Sequence, residues 1–547
     1  MKIYKKRVKL TNSLRFLLIG ALLLGVFSLS GTGFADTDTD GEMAYESLSS
    51  PQVYGDLNGD GVIDSNDYVL LKRFIFEIID EFPVGNLEVA DLNGDGIIDS
   101  TDATLMSRYI LDVIDEFPVA EDEEDEEDID AISGYVDTNT KHQTIEGFGA
   151  SIAFYQNWLI DHPNKAEIYD VIFDELGLSV LRLNNWYITY EDEVSFDPSA
   201  KEIVEEARNS VGDDLKIMMS SWSPPTYLKS NESNAGGTLK QENGEFVYDQ
   251  FADFWYDSLK EYEEIGIVPD YISIQNEPDI ETSYESCLFD KDENGSNAAY
   301  GKALEAVYNK LHTDMDNPPK ILGPEVLGIG YNNFDGYMSG LNIDHLDGLA
   351  FHLYHGGDED DPDSFNNELE NINNNYPDMP KYQTEFYRGN AFNTAWIMHN
   401  SLTKGNVSMY LYWDLIWEHG SLVTLEFPWD NSEWTTPNGY IVTDKYYALK
   451  QYSKFIKPGY TRVDASMDLD DIKISAYICP DEESMSVVLL NTSSSSETVA
   501  LDFDGFLASD SEVYRTSDDE KTEFIGSLGE GNTVYLPSQS IATVVIQ

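Results

Sequence analysis

From Ile145 to Trp413 the chain repeats one pattern eight times, a short apolar run followed by a longer stretch with helical spacing. The apolar runs are Ile145 to Ser151, Ser179 to Leu183, Leu215 to Ser221, Tyr271 to Gln275, Lys320 to Gly323, Gly348 to His352, Tyr382 to Glu385 and Ser408 to Trp413. Strands separated by helices lie parallel, because only a long crossover returns the chain to the same end of a sheet. Eight such units over about 300 residues fit an α/β fold closed as a (β/α)8 TIM barrel better than an open, doubly wound sheet. Such a barrel carries its chemistry at the C-terminal rim of the strands.

Two of these strands end in acids. In Tyr271-Ile-Ser-Ile-Gln-Asn-Glu-Pro-Asp279, Pro278 disfavours the helical region for the residue before it and holds Glu277 extended at the end of strand 4. In Lys381-Tyr-Gln-Thr-Glu-Phe386, Glu385 ends strand 7. An isolated Glu at such a place is most simply a helix cap or half of an ion pair. Two at one rim suggest glycoside hydrolysis, which uses a pair of carboxylates.

After Tyr460 the pattern changes to short alternating runs, among them Ile472 to Ile478, Ser486 to Leu490 and Ile541 to Ile546. These are antiparallel strands of a β-sandwich, with which Tyr135 to Thr144 could pair. The N-terminal part holds a repeat. Asp56-Leu-Asn-Gly-Asp-Gly-Val-Ile-Asp-Ser-Asn-Asp67 returns 35 residues later as Asp91-Leu-Asn-Gly-Asp-Gly-Ile-Ile-Asp-Ser-Thr-Asp102. Each copy has the pattern of a calcium loop. Side-chain oxygens stand at positions 1, 3, 5, 9 and 12, glycine at 6, and a backbone carbonyl is available at 7. The ligands expected are Asp56, Asn58, Asp60, Val62, Asp64 and Asp67, then Asp91, Asn93, Asp95, Ile97, Asp99 and Asp102. Two Ca2+ ions would be structural, since metal bound to an otherwise floppy loop is folding energy. Position 12 is Asp rather than the usual Glu, and an amphipathic helix follows each loop without one before it.

Six basic residues from Lys2 to Arg15 precede and open an apolar run, Phe16 to Leu29, with small residues near Ala35, which is the pattern of a secretory signal peptide over 1–35. Its removal would take the formal charge from −68 to −74. That balance excludes nucleic acid and anionic membranes as partners, both of which need a basic patch. Nine of the ten residues from Glu121 to Asp130 are acidic, and a run that repels itself reads as an extended linker over 120–132. Only Cys287 and Cys479 are present, so no disulfide framework is implied.

The duplicated loop and helix over 51–119 resembles a type I dockerin, the module that plugs secreted enzymes into the cohesins of a cellulosome scaffold. The resemblance implies a cohesin partner met by loop positions 10 and 11, here Ser65 and Asn66, and Ser100 and Thr101. The region 133–547 resembles glycoside hydrolase family 30. The residues that carry this are Ile145-Glu-Gly-Phe-Gly-Ala150, Ser221-Trp-Ser-Pro-Pro225, Gln275-Asn-Glu-Pro278, Thr384-Glu-Phe386, Tyr410-Leu-Tyr-Trp413 and Tyr452-Ser-Lys-Phe-Ile-Lys-Pro-Gly-Tyr460. It implies a barrel over 133–459 and a sandwich over 460–547, with Glu277 as acid/base and Glu385 as nucleophile of a retaining enzyme. Arg182, Trp222, Asn276, His352, Tyr354 and Trp413 would bind substrate, and no catalytic cofactor is needed.

The xylan-active members of that family are the nearest in pattern, so the expected protein is a secreted, monomeric, cellulosomal hydrolase of β-1,4-xylosidic bonds. β-1,6-Glucan, galactan and β-glucosides remain alternative substrates, and a non-catalytic carbohydrate-binding scaffold subunit is the alternative class. The long connection Asp279 to Asn297 could close one end of the cleft, which would make the enzyme exo-acting and xylobiose-releasing. Many relatives grip a glucuronate branch with an arginine after strand 8. Here no arginine occurs between Arg388 and Arg462, and Asp414 and Glu418 would repel such a branch. Arg388, just beyond the nucleophile, is the one group that could substitute for that arginine, but it is expected in a structural ion pair instead. Glucuronate branches should therefore not be required.

Overall fold

The eight parallel strands pair in the closed order 1-2-3-4-5-6-7-8, with strand 8 returning to strand 1. They are Gly147–Ser151, Val180–Asn184, Lys216–Ser220, Tyr271–Ser273, Lys320–Val326, Gly348–His352, Lys381–Glu385 and Met409–Tyr412. The computed structural model describes residues 53–76, 78–94, 96–111, 114, 117–118, 131–190, 193–195, 198–417, 420–427, 429–506 and 509–547. The segment 1–35, expected above to be a signal peptide, and the acidic run 121–130 lie outside these. The chain divides near residue 126 into two units.

Inside the barrel, alternate residues of the strands stack in layers. Val180, Met218, Tyr271, Leu322, Ala350, Tyr382, Met409 and Leu411 form one apolar layer. Two residues further along strands 2, 3 and 6, the same face carries Arg182, Ser220 and His352, so the apolar floor gives way to polar groups near the rim. Outside, the helices turn their apolar stripes to the strands. Helix Tyr248–Glu264 buries Phe251, Phe254, Trp255, Leu259 and Tyr262, a spacing of three and four residues.

Two register shifts break the alternation where it matters. In strand 5, Pro324 pairs with Ala350 and Val326 with Phe351, which leaves Glu325 as an extra residue; the strand, expected to end at Gly323, continues to Val326. In strand 7, Gln383 pairs with Phe351 and Glu385 with His352. With Leu322 and Tyr382 facing inward, strict alternation would send Glu325 and Glu385 outward. The bulges re-aim both into the barrel.

Strand Ile132–Thr144 runs before the barrel and pairs antiparallel with Thr461–Met467 and parallel with Glu497–Asp504. It lies within a nine-stranded sheet that also takes in Ile472–Ile478, Met485–Asn491 and Ile541–Ile546. The sheet folds over one apolar core, in which Val136 and Val499 meet Val513 and Val544. In the N-terminal unit, helices Ser65–Ile75 and Ser100–Ile110 pack over Leu57, Leu71, Leu92 and Met106. Among the described residues no helix is long and apolar enough to cross a membrane.

Candidate active site

At the rim of the barrel a buried cluster joins strands 2, 5, 6 and 7 to the end of strand 4. Arg182 is fully buried and spreads its guanidinium over three acceptors. Nη1 donates to Glu385 Oε2 at 2.7 Å, and Nη2 donates to Asn276 Oδ1 at 2.6 Å and Glu325 Oε1 at 3.0 Å. Its Nε donates to Ser220 Oγ at 3.3 Å. His352, also fully buried, donates from Nδ1 to Glu277 Oε1 at 2.9 Å, with Nε2 3.7 Å from Glu325 and Nδ1 4.0 Å from Glu385. The Tyr354 hydroxyl donates to Glu385 Oε1 at 3.0 Å.

The charges balance almost wholly within the protein. Burial would lower the His352 imidazolium, but the carboxylates of Glu385, Glu277 and Glu325 outweigh it and lift the group to about 9. Burial would likewise raise Glu325, yet Arg182 and His352 hold it ionised, down to about 2. Burial pushes Glu385 above the ordinary carboxylate range, Glu277 adds to this, and His352 and Arg182 pull against it. Three carboxylates therefore face two cations.

Glu277 is not held extended as expected before Pro278: it and Glu325 hold backbone φ of 47° and 56°, left-handed for residues with a side chain, at a cost of about 1–2 kcal/mol each. The two are tied together, the Glu277 N–H donating to the Glu325 carbonyl at 3.0 Å. Such strain persists only where the surroundings enforce it. Oxygens of Glu277 and Glu385 and a nitrogen of His352 lie within 4.8 Å of one another, close enough to suggest a metal. A protonated His352 that donates to Glu277 offers no ligand, and Arg182 already supplies the positive charge.

Above the cluster opens a cavity of about 570 Å3 lined by Glu277, Glu385, Trp222, Tyr354 and Trp413 among others. Of the residues expected to bind substrate, Trp222, Tyr354 and Trp413 line it. Arg182, Asn276 and His352 lie behind it and position the carboxylates. The Arg182 guanidinium stacks 4.5 Å from the Trp222 ring, which ties the wall to the cluster beneath. The connection Asp279 to Asn297 gives Ile280, Tyr284 and Glu285 to one wall. It is pinned to the connection after strand 3 by Leu288 N to Gly237 O at 2.7 Å and Gly236 N to Ser286 Oγ at 2.9 Å.

Three expectations need correction or fall away. Arg388 forms no ion pair among the described residues; it lines the cavity with its guanidinium 5.3 Å from the Tyr354 ring. Asp414 is buried and does not line the cavity, and burial, with the Glu385 charge adding to it, raises its carboxyl well above the usual range. A neutral carboxyl repels nothing. Glu418 lies outside the described residues. Sequence reasoning missed Glu325, which no motif marks, because its role depends on the bulge in strand 5.

In the N-terminal unit the two loops repeat one hydrogen-bond pattern. Gly59 and Gly61 donate to Asp56, and Gly94 and Gly96 donate to Asp91, at 2.7–2.9 Å. Asp67 and Asp102 are buried, accept from Leu57 and Leu92, and close capping boxes with Asp64 and Asp99. The donor set is all oxygen, mostly carboxylate, and suits Ca2+. Asp95 lies outside the described residues.

Residues 54–111 match the dockerin type I domain, 181–291 the glycosyl hydrolase family 30 TIM-barrel domain, and 459–544 the glycosyl hydrolase family 30 beta sandwich domain. The glucuronoxylanase XynC of Bacillus subtilis is 22% identical over 438 residues, covering 76% of this chain and 92% of that protein. Among solved structures, the family 30 subfamily 8 xylanase Xyn30A of Clostridium acetobutylicum superposes with a TM-score of 0.60 at 22% identity, covering 76% of this chain and 99% of that one. The catalytic domain of xylanase C from Talaromyces cellulolyticus gives 0.61 at 20% identity, covering 76% and 100%.

Proposed function

We propose that this chain, which carries the barrel and sandwich domains of glycosyl hydrolase family 30 behind a type I dockerin, is an exported, scaffold-borne retaining β-glycosidase that cuts β-1,4-xylosidic bonds. The observation that carries the reading is the pair of buried carboxylates at the ends of strands 4 and 7, with oxygens within 4.8 Å. That approach of one oxygen from each is compatible with the roughly 5–5.5 Å carboxyl separation of direct attack. An inverting enzyme needs its carboxyls roughly 6.5–9.5 Å apart to seat a water between them. Glu385, held by Arg182 and Tyr354, attacks the anomeric carbon. Glu277 gives its proton to the leaving oxygen and then takes one from water. Tyr354 and Arg182 hold the Glu385 oxygens so that one lone pair faces the sugar.

The xylan assignment rests on the named relatives, a glucuronoxylanase and two xylanases. Independence from glucuronate rests on the missing arginine after strand 8. Exo action rests on the pinned wall formed by the Asp279 to Asn297 connection. Two calcium ions and a cohesin contact through Ser65, Asn66, Ser100 and Thr101 complete the reading of the N-terminal unit, with export directed by 1–35.

The test is a product profile on unbranched xylan, glucuronoxylan, cellulose and β-1,6-glucan. Xylobiose from both xylans is the expected result; silence on unbranched xylan, or a rapid fall in viscosity at low conversion, would remove the finer claims one by one. Glu385→Ala should abolish turnover on every substrate. Glu277→Ala should retain the first step on aryl glycosides whose leaving group needs no proton, by a factor of about 10²–10⁴ over its residual activity on xylan. A covalent glycosyl adduct found on Glu277 by mass spectrometry would reverse the roles.

A further inference from the structure

An aromatic ridge leaves the catalytic cavity on the side of strands 1 and 8. Tyr155 and Trp417 line the cavity and stack at 5.6 Å with a 24° tilt. From Tyr155 the rings continue to Trp158 at 5.6 Å, and from Trp158 to Phe427 at 4.9 Å and Trp429 at 5.8 Å. The outer members stand in solvent, Phe427 at 41% and Trp429 at 60% exposure. Large rings left exposed in a contiguous row mark a binding surface.

The geometry points to this ridge as the track on which the polysaccharide lies beyond the reacting bond, its sugar faces stacked on Tyr155, Phe427 and Trp429. The inference rests on the glycosidase reading above. Three observations select an uncharged sugar chain as the occupant. The ridge is continuous with the cavity through Tyr155 and Trp417. It lies across the barrel mouth from the wall pinned by the Asp279 to Asn297 connection, since strands 4 and 8 are opposite in the closed order. Asp161, Glu426 and Asp430 flank its aromatic members, and the chain carries a charge of −68, which disfavours an acidic partner, an anionic membrane or a second copy.

The test is Phe427→Ala/Trp429→Ala, two exposed positions whose loss should leave the melting temperature unchanged. On whichever polymer of the panel the wild type cleaves, the double variant should raise KM roughly tenfold at unaltered kcat, as loss of aromatic anchors does. It should leave an aryl glycoside that fills only the cavity unaffected. Equal losses on polymer and aryl glycoside, or no loss on the polymer, would overturn the ridge. So would sedimentation in which the wild type is a dimer and the variant a monomer. If the wild type ignores xylan but cleaves β-1,6-glucan, the xylan assignment falls while the ridge is still tested, on that glucan.

Discussion

The two acidic centres of this chain solve the same electrostatic problem in opposite ways. In the N-terminal unit, the carboxylates of each loop are met by backbone N–H groups within ten residues, as when Asp67 accepts from Leu57. Those partial charges do not neutralise several carboxylates, and the Ca2+ proposed for each loop would supply the balance. In the barrel, Glu385 is met by Arg182 across 203 residues and Glu325 by the same arginine across 143. There the protein supplies its own cations, Arg182 and His352. A loop can be assembled by spacing alone. A charge-balanced, dry cluster has to be assembled by a fold.

The contrast breaks most visibly on removal of calcium. Chelation should abolish the folded signal of the N-terminal unit outright while glycoside turnover continues, because Arg182 and His352 already pair the barrel carboxylates. Calorimetry of the whole chain with and without chelator, alongside rates on an aryl glycoside, checks this. Turnover lost together with the N-terminal unit would mean that the two centres are not of different kinds.

The matching experiment in the barrel is Arg182→Met. It keeps volume but strands Glu325 and Glu385 without their cation, at a cost of about 3–5 kcal/mol. Denaturant unfolding measures it, and a loss below 1 kcal/mol would show that the cluster does not need its internal charge.

A gentler perturbation is pH. His352 stands at about 9 in the folded chain against 6.5 unperturbed, so its contribution is complete below pH 6.5 and fades as pH rises through 9. Glu325, at about 2 against 4.5, contributes fully above pH 4.5 and loses that contribution as pH falls toward 2. Stability of the barrel should therefore be widest between these windows. His352→Gln should flatten the alkaline limb and leave the acid one in place.

Glu277 and Glu385 were legible in the sequence because each follows a short apolar run; the extended backbone expected for Glu277 before Pro278 is not what the fold adopts, its φ being 47°. The repeated loops were legible because their pattern is local: twelve consecutive residues carry turn and cap, and the pattern occurs twice. The eight-fold alternation likewise set the barrel, since parallel strands with helical crossovers have few ways to close. Tertiary structure alone decided the rest. Glu325 joins the site, and Glu385 turns inward, only because bulges in strands 5 and 7 break the two-residue period that a sequence reading must assume. Burial, with Glu385 nearby, raises the Asp414 carboxyl, and Arg388 stands in the cavity wall. The sequence determined which groups stand at strand ends, a matter of local order; the fold decided which of them share one low-dielectric space, because charge balance there is set by neighbours hundreds of residues apart.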